Sequence, residues 1–318
     1  MSDQGPFHRG ELEAQRRAGE SLMAAANSPM IGNRIMSGGV SFIREQPMAV
    51  IGSRDAEGRL WSSILFGRPG FLDPAPDRRS LQIHIDAEQR DHHDPLWKNV
   101  DGNSQVGILV IELATRRRLR INGRLASATD SLLTIHVEES FVNCPKYIQR
   151  RAIQFESGPT KVLHVGGEQT SDRLQGHQRA LIERADTVFV TSAHPKRGLD
   201  TSHRGGNAGF IEVLDEKTLC IPDYQGNSMF NTIGNLLVDP RAGLLFPDFE
   251  GHGTLQAIGT AEVLWAQPTE RDGDTGRSWI FHIDKIRQTP MQAALQAHFI
   301  EYSPFNPTTG PNADHCPL

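Results

Sequence analysis

Asp200–Phe249 read DTSHRGGNAGFIEVLDEKTLCIPDYQGNSMFNTIGNLLVDPRAGLLFPDF. The apolar runs and the turn residues between them spell strand, glycine-rich turn, strand, a polar turn opening a short helix near Asn227, then another strand. Ser202, His203, Arg204, Gly205 and Gly206 fall in the first half of this order. Tyr224, Gly226, Asn227, Ser228, Asn231, Thr232 and Asn235 fall in the second.

These residue types suit the capture of an anion. An oxyanion needs several N–H donors aimed at one point, glycines that let the backbone approach, and a delocalised cation. Arg204 supplies the cation and Gly205 and Gly206 the approach, while a helix starting near Asn227, capped by Asn227 or Ser228, adds free N–H groups. Each feature alone also reads as a bent strand or an ordinary cap; their concentration between Ser202 and Thr232 favours a ligand site.

The blocks SHRGGNAGF, LCIPDYQGN, NTIGNLLVDPRAGLLF and LQAIGTAEV, in that order over Ala185–Trp265, resemble the pyridoxamine 5'-phosphate oxidase-like FMN-binding split-barrel family, in its branch of predicted flavin-nucleotide-binding proteins. The resemblance implies a six-stranded antiparallel split barrel with FMN in a cleft against a second barrel. It also implies that Arg204, Ser202, Asn227 and Ser228 hold the phosphate with His203 and Tyr224 nearby. Asn231, Thr232 and Asn235 would line the same helix or its approach, and the backbone of Gly205 and Gly206 would touch the ribityl chain or ring. The implied chemistry is hydride transfer at the flavin, on a small organic substrate and with a nicotinamide as electron donor. A flavin- or haem-binding module without turnover and a deazaflavin-dependent reductase are the alternatives. The founding oxidase's tail contributes arginine and histidine to its substrate; here the tail has His315 and no arginine, which puts that substrate in doubt.

Outside this stretch the chain has 318 residues, enough for about two domains. Its 30 glycines and 19 prolines suit a turn-rich β protein. A net charge of −5 gives no reason to expect nucleic acid or an anionic membrane as partner, and the run Arg116, Arg117, Arg118 and Arg120 reads as a solvated strand end. No apolar run reaches the ~18 residues of a membrane helix and the first residues show no secretory pattern, so a cytoplasmic protein is expected. Cys144, Cys220 and Cys316 are widely spaced and form no metal-ligand pattern.

From Pro47 six short strands follow: PMAVIG, RLWSSILFG, SLQIHID, QVGILVIEL, RLRINGRLASA and LLTIHVEESF. The series recurs downstream. Gly58 sets against Gly198, Leu81-x-Ile83 against Leu219-x-Ile221, Gly107 against Gly243, and Gly123 against Gly259. The fold class is therefore mainly β, with tandem antiparallel split barrels. The divisions are a helical extension over 1–35, a degenerate first barrel over 36–157, a linker over 158–176, a second barrel with the phosphate motif over 177–270, and a C-terminal strand, helix and tail over 271–318. The first copy has Ser62-Ser63-Ile64-Leu65-Phe66-Gly67 where the second has Ser202–Gly206, without cation or paired glycines. Ser62, Ser63, Trp61 and His84 are expected to supply the far wall of the cleft, so one chain builds what other members build from two subunits. One flavin per chain and a homodimer are expected.

In the segment Phe141–Arg151 between the copies, which contains NCPKYIQ, Lys146, Tyr147 and Arg150 are placed to reach an anion or the flavin edge. Residues 8–27 read as an amphipathic helix across the first barrel, Pro290–Tyr302 as a helix, and the last sixteen residues as extended or mobile. Asp91-His92-His93-Asp94 lacks metal-ligand spacing and reads as a helix start.

Overall fold

A computed structural model describes residues 5–85, 90–155, 169–251, 253–290 and 295–308. The six strands expected after Pro47 form β1 (Met48–Arg54), β2 (Leu60–Phe66), β4 (Ser80–His84), β5 (Gln105–Glu112), β6 (Arg117–Ala128) and β7 (Leu132–Val142), with a short β3 (Leu72–Pro74) beside β4. They make one antiparallel sheet in the order β2-β1-β5-β6-β7-β4-β3.

The second sheet is built from β10 (Thr187–His194), β11 (Gly198–Gly205), β12 (Glu212–Val213), β13 (Thr218–Pro222), β14 (Arg241–Asp248), β15 (Gly253–Trp265) and β16 (Arg277–Pro290). Its order is β11-β10-β14-β15-β16-β13-β12, the same as the first sheet strand for strand, with β9 (Gln169–Ser171) added on β16. This sheet runs past residue 270, because β16 pairs with both β13 and β15. Helix α3 (Gly39–Glu45) precedes β1 as α5 (Gly176–Arg184) precedes β10, and α4 (Pro95–Gly102) precedes β5 as α6 (Asn231–Leu236) precedes β14.

Register sharpens the correspondence. Gly52 pairs Ser62 and Gly107 in the first sheet; Thr191 pairs Thr201 and Gly243 in the second. Gly198 therefore answers Arg59 rather than Gly58, since His194 pairs Gly198 as the Asp55 amide meets the Arg59 carbonyl. Gly123 and Gly259 both sit at a register shift, and a Cβ on either would run into the carbonyl of His136 or His282. Glycine is required at both bends because a neighbouring backbone occupies the side-chain position.

The two sheets pack against each other through β1, β2 and β5 on one side and β10, β11 and β14 on the other. That contact explains why β1 and β10 are buried nearly throughout instead of alternating: one face fills its own sheet's core and the other fills the seam. Met48, Val50, Leu109, Phe189 and Leu245 meet there, whereas Ala49 and Ile51 belong to the first core and Val188 and Val190 to the second. The seam has approximate two-fold character. Thr201 donates to the Gly107 carbonyl at 2.8 Å, and Ser62 donates to the Gly243 carbonyl at 3.2 Å.

Three expectations are corrected. The N-terminal segment lies on α6 of the second unit, not across the first. It comprises α1 (Arg9–Ala18) and α2 (Ser21–Asn27), and Gly10 and Gly234 let the α1 and α6 backbones touch. Residues 295–301 form β17 (Leu295–Glu301), paired with β8 (Arg150–Phe155), instead of a helix. At strand spacing Ala297 packs on the seam core and Phe299 takes the Arg151 guanidinium, a use of the apolar residues that helical spacing would not allow. The tail is docked at its start: the Ser303 amide donates to Gln149 at 2.8 Å and Asn306 Nδ2 to Gln149 at 2.9 Å. His315, Cys316 and most of the 158–176 linker lie outside the described residues. No helix among the described residues is long and apolar enough to cross a membrane.

Candidate functional site

At one edge of the seam β11, the β13–α6 connection and β16 face β6 and the segment Asn143–Tyr147 across a cleft. A lobe of about 540 Å³ is lined by Arg118, Arg120, Cys144, His203, Arg204, Asp223, Tyr224, Ser228, Asn231, Thr232 and Arg277, among others. A second lobe of about 410 Å³ shares Arg118, Cys144, His203, Arg204, Tyr224 and Gly226, and adds Lys146, Tyr147, Gly205 and Phe210.

Most of the expected residues therefore converge: His203, Arg204, Gly205, Tyr224, Asn227, Ser228, Asn231, Thr232 and Lys146 line one lobe or the other. Ser202 lies beneath, its hydroxyl 3.0 Å from that of Thr232. Asn235 is turned away, donating to Ser192 at 3.0 Å and meeting His8 at 2.9 Å.

The cap assignment is corrected. A Cβ on Gly205 would strike the Tyr147 carbonyl and one on Gly206 would strike Phe210, so close packing within the protein already requires glycine at both, and Gly205 also lines the second lobe. Helix α6 begins at Asn231, after Ser228 and Phe230 in left-handed conformations with φ of 62° and 61°. Asn227 instead accepts from the Met229 amide at 3.2 Å, and Ser228 donates to Glu20 at 2.5 Å.

Ser62 and Ser63 do not form the far wall. Ser62 is consumed at the seam by Thr191 and Gly243. Ser63 donates to Asp94 at 2.5 Å in the counterpart position of the first unit. Trp61 donates to Asp55 at 3.0 Å, and the exposed His84 lies outside both lobes. The wall facing the second unit is Arg118 and Arg120. The reading of residues 116–120 as a solvated strand end fails at these two positions. Strand β6 places 118, 120 and 122 on one face, with apolar Leu119 and Ile121 on the other, and the polar face looks into the seam. That alternation was the available signal. Arg277 had none, since its role depends on β16 returning beside β13.

The electrostatics follow from the pairings. Arg120 pairs with buried Asp200 at 2.8 Å. Arg204 and Arg277 share Asp223, at 2.6 and 3.0 Å, and Arg277 also reaches Glu20 at 3.4 Å. Arg118 donates to the Cys144 and His203 carbonyls at 2.9 and 3.2 Å and lies 3.2 Å from His203 Nδ1. Among the described residues no carboxylate pairs with it. Burial, with Arg120 and Arg204 alongside, pulls its pKa down to about 9. Burial and the surrounding arginines hold His203 well below the usual imidazole range, so it is neutral and its Nδ1 can accept from Arg118. His203 Nε2, Arg204 Nε and Asn143 Oδ1 are buried without partners among the described residues. Tyr147 and Tyr224, 5.1 Å apart, form an aromatic wall, and burial pushes Tyr147 up to about 12.

The counterpart position in the first unit is filled. Arg287, 2% exposed, reaches Asp91 at 3.0 Å and Gln256 at 2.8 Å, while Gln256 donates to Asp94 at 3.2 Å. Asp94 is also the cap of α4, as the helix-start reading of residues 91–94 anticipates.

Residues 174–301 match the family model described as pyridoxamine 5'-phosphate oxidase. No curated protein matches the chain. Among solved structures, HupZ of Group A Streptococcus is 15% identical, with 36% of this chain and 91% of that one covered at a TM-score of 0.30. General Stress Protein 26 of Bacillus anthracis is 11% identical, with 38% and 94% covered at 0.27. The styrene monooxygenase flavin reductase of Pseudomonas putida S12 is 7% identical, with 30% and 80% covered at 0.24.

Proposed function

We propose, on the premise that residues 174–301 belong to the pyridoxamine 5'-phosphate oxidase-like family, that the chain binds one FMN in the cleft between its two sheets and is an FMN-dependent oxidoreductase of a small organic substrate. The observation that carries this reading is Arg118, a cation turned into a polar cleft with no carboxylate of its own among the described residues. A half-buried guanidinium without a counter-charge is costly, and an anionic ligand supplies what is missing. The unpartnered His203 Nε2 and Arg204 Nε are further donors suited to a phosphate or a ring carbonyl.

FMN, when bound, supplies hydride transfer, with a reduced nicotinamide as the donor expected. The chain's own groups bind and orient: Arg118 and Arg204 offer charge from opposite walls, and Tyr224 with Tyr147 offers an aromatic face of the size a planar ring needs. Both walls come from one chain, so this site requires no second subunit, and a homodimer would form elsewhere on the surface. The test is the absorption spectrum and released-ligand mass of protein purified from cells, alongside Arg204→Ala. FMN near one per chain in the parent and lost in the variant supports the reading; colourless protein that ignores added FMN sinks it.

A further inference from the structure

The geometry points to a phosphate-monoester subsite formed by Ser228 and Arg277, whose place Glu20 of the N-terminal segment now holds; ligand binding and Glu20 docking exclude each other. This rests on the cleft being the ligand site proposed above.

Glu20 is a carboxylate brought to the cleft's Ser228 and Arg277 by the N-terminal segment. Its oxygens meet Ser228 Oγ at 2.5 Å and Arg277 Nη1 at 3.4 Å, and both partners are more than nine-tenths buried. These are the contacts a phosphate oxygen would make: a hydroxyl donor and a guanidinium already oriented by Asp223. The element behind Glu20 is held by few contacts, Ala24 in a small apolar cluster and Asn27 Nδ2 donating to the Asn227 carbonyl at 2.8 Å among them. Gly19 has φ of 71° with open space around its α-carbon, so the chain breaks there between two helices. On one side α1 is fixed by the Gly10–Gly234 contact and by Gln15 donating to the Met229 carbonyl at 3.1 Å. On the other, α2 buries only Ala24 of its seven residues and leaves Leu22 90% exposed.

Charge identifies the ligand class. Arg120 and Asp200 cancel, and Asp223 and Glu20 offset two of the remaining three arginines, leaving one positive charge. With Glu20 displaced the lobe carries two. A phosphate monoester brings about −1.5 to −2 at neutral pH, whereas a carboxylate brings only one charge and would merely replace Glu20.

The test is titration of the full chain and of Glu20→Ala with FMN and, separately, phenyl phosphate, together with hydrogen exchange over residues 20–27. If Glu20 is seated about nine-tenths of the time, its removal tightens binding about tenfold. Exchange over 20–27 in the parent rises when ligand is added. FMN bound equally by parent and variant, or exchange that slows or stays constant, overturns the subsite and leaves the flavin reading standing. Neither protein binding FMN while phenyl phosphate still favours Glu20→Ala overturns the flavin reading and sustains the subsite.

Discussion

The two sheets offer equivalent positions beside the seam, and the chain has furnished them in opposite ways. In the first unit Arg287 enters with Asp91 and Asp94 close by, and Gln256 and Ser63 complete the network. One guanidinium serves two carboxylates there, burial holds the Asp94 carboxyl above its usual range, and the position is closed by side chains of the chain itself. In the second unit no carboxylate among the described residues pairs with Arg118, and His203 Nε2 and Arg204 Nε have no partner among them. The fold supplies a cleft twice; a cation left without a carboxylate, more than shape, separates a binding position from a filled one.

The sharpest way to break this comparison is to remove the filling. Arg287→Met leaves Asp91 and Asp94 without their buried cation and is expected to cost about 3–5 kcal/mol, read as a lower urea midpoint, with FMN binding retained in protein that remains folded. The same kind of truncation on the other side should behave differently. Arg118→Ala is expected to weaken FMN by about 10- to 100-fold, as loss of a charge-assisted contact of about 1.5–3 kcal/mol does, while folding stability falls by less than in Arg287→Met, because loss of a cation without a carboxylate offsets part of the cost of its three lost hydrogen bonds. Loss of stability equal to that of Arg287→Met would erase the distinction.

Gly107→Ala and Gly243→Ala each press a methyl into the other sheet's backbone, at Leu199–Asp200 and Leu60–Trp61 respectively. Each should cost about 1–3 kcal/mol by thermal unfolding, and similar values for both would support the two-fold character of the seam. A last test concerns Glu11, which burial raises to about 8 from an ordinary value of 4.5. Its folded-state pKa lies above the unfolded one, so its neutral form favours folding at low pH. That contribution is lost as pH climbs from about 4.5 through 8. Glu11→Gln, isosteric and unable to ionise, should flatten the fall in stability across that window in urea titrations at successive pH values.

Much of this was legible beforehand because strands and bends leave local marks. The alternation in β4 and β7, the glycines at 123 and 259 and the shifts between copies each reflect a constraint imposed by adjacent backbone. The cleft was legible in its second-unit half, where His203, Arg204, Tyr224 and Ser228 lie close in sequence. Its other half was not. Arg118 matters because β6 belongs to the opposite sheet, Arg277 because β16 returns beside β13, and Glu20 because α1 docks on α6; all three depend on contacts between distant segments. The helix expected at 290–302 failed because apolar spacing over a few residues fits two periods, and pairing with β8 decided between them.

Gly52 occupies the register position that Thr191 occupies in the other sheet, and the two face each other: a Cβ on Gly52 would lie 2.5 Å from Thr191 Cγ2. In an assembly of two identical subunits a residue on the dyad meets its own copy and must be self-complementary, which bulk such as threonine at this spacing is not. A single chain carrying both halves is released from that condition. Small can be set against large at the centre, and one cleft can be closed without closing the other.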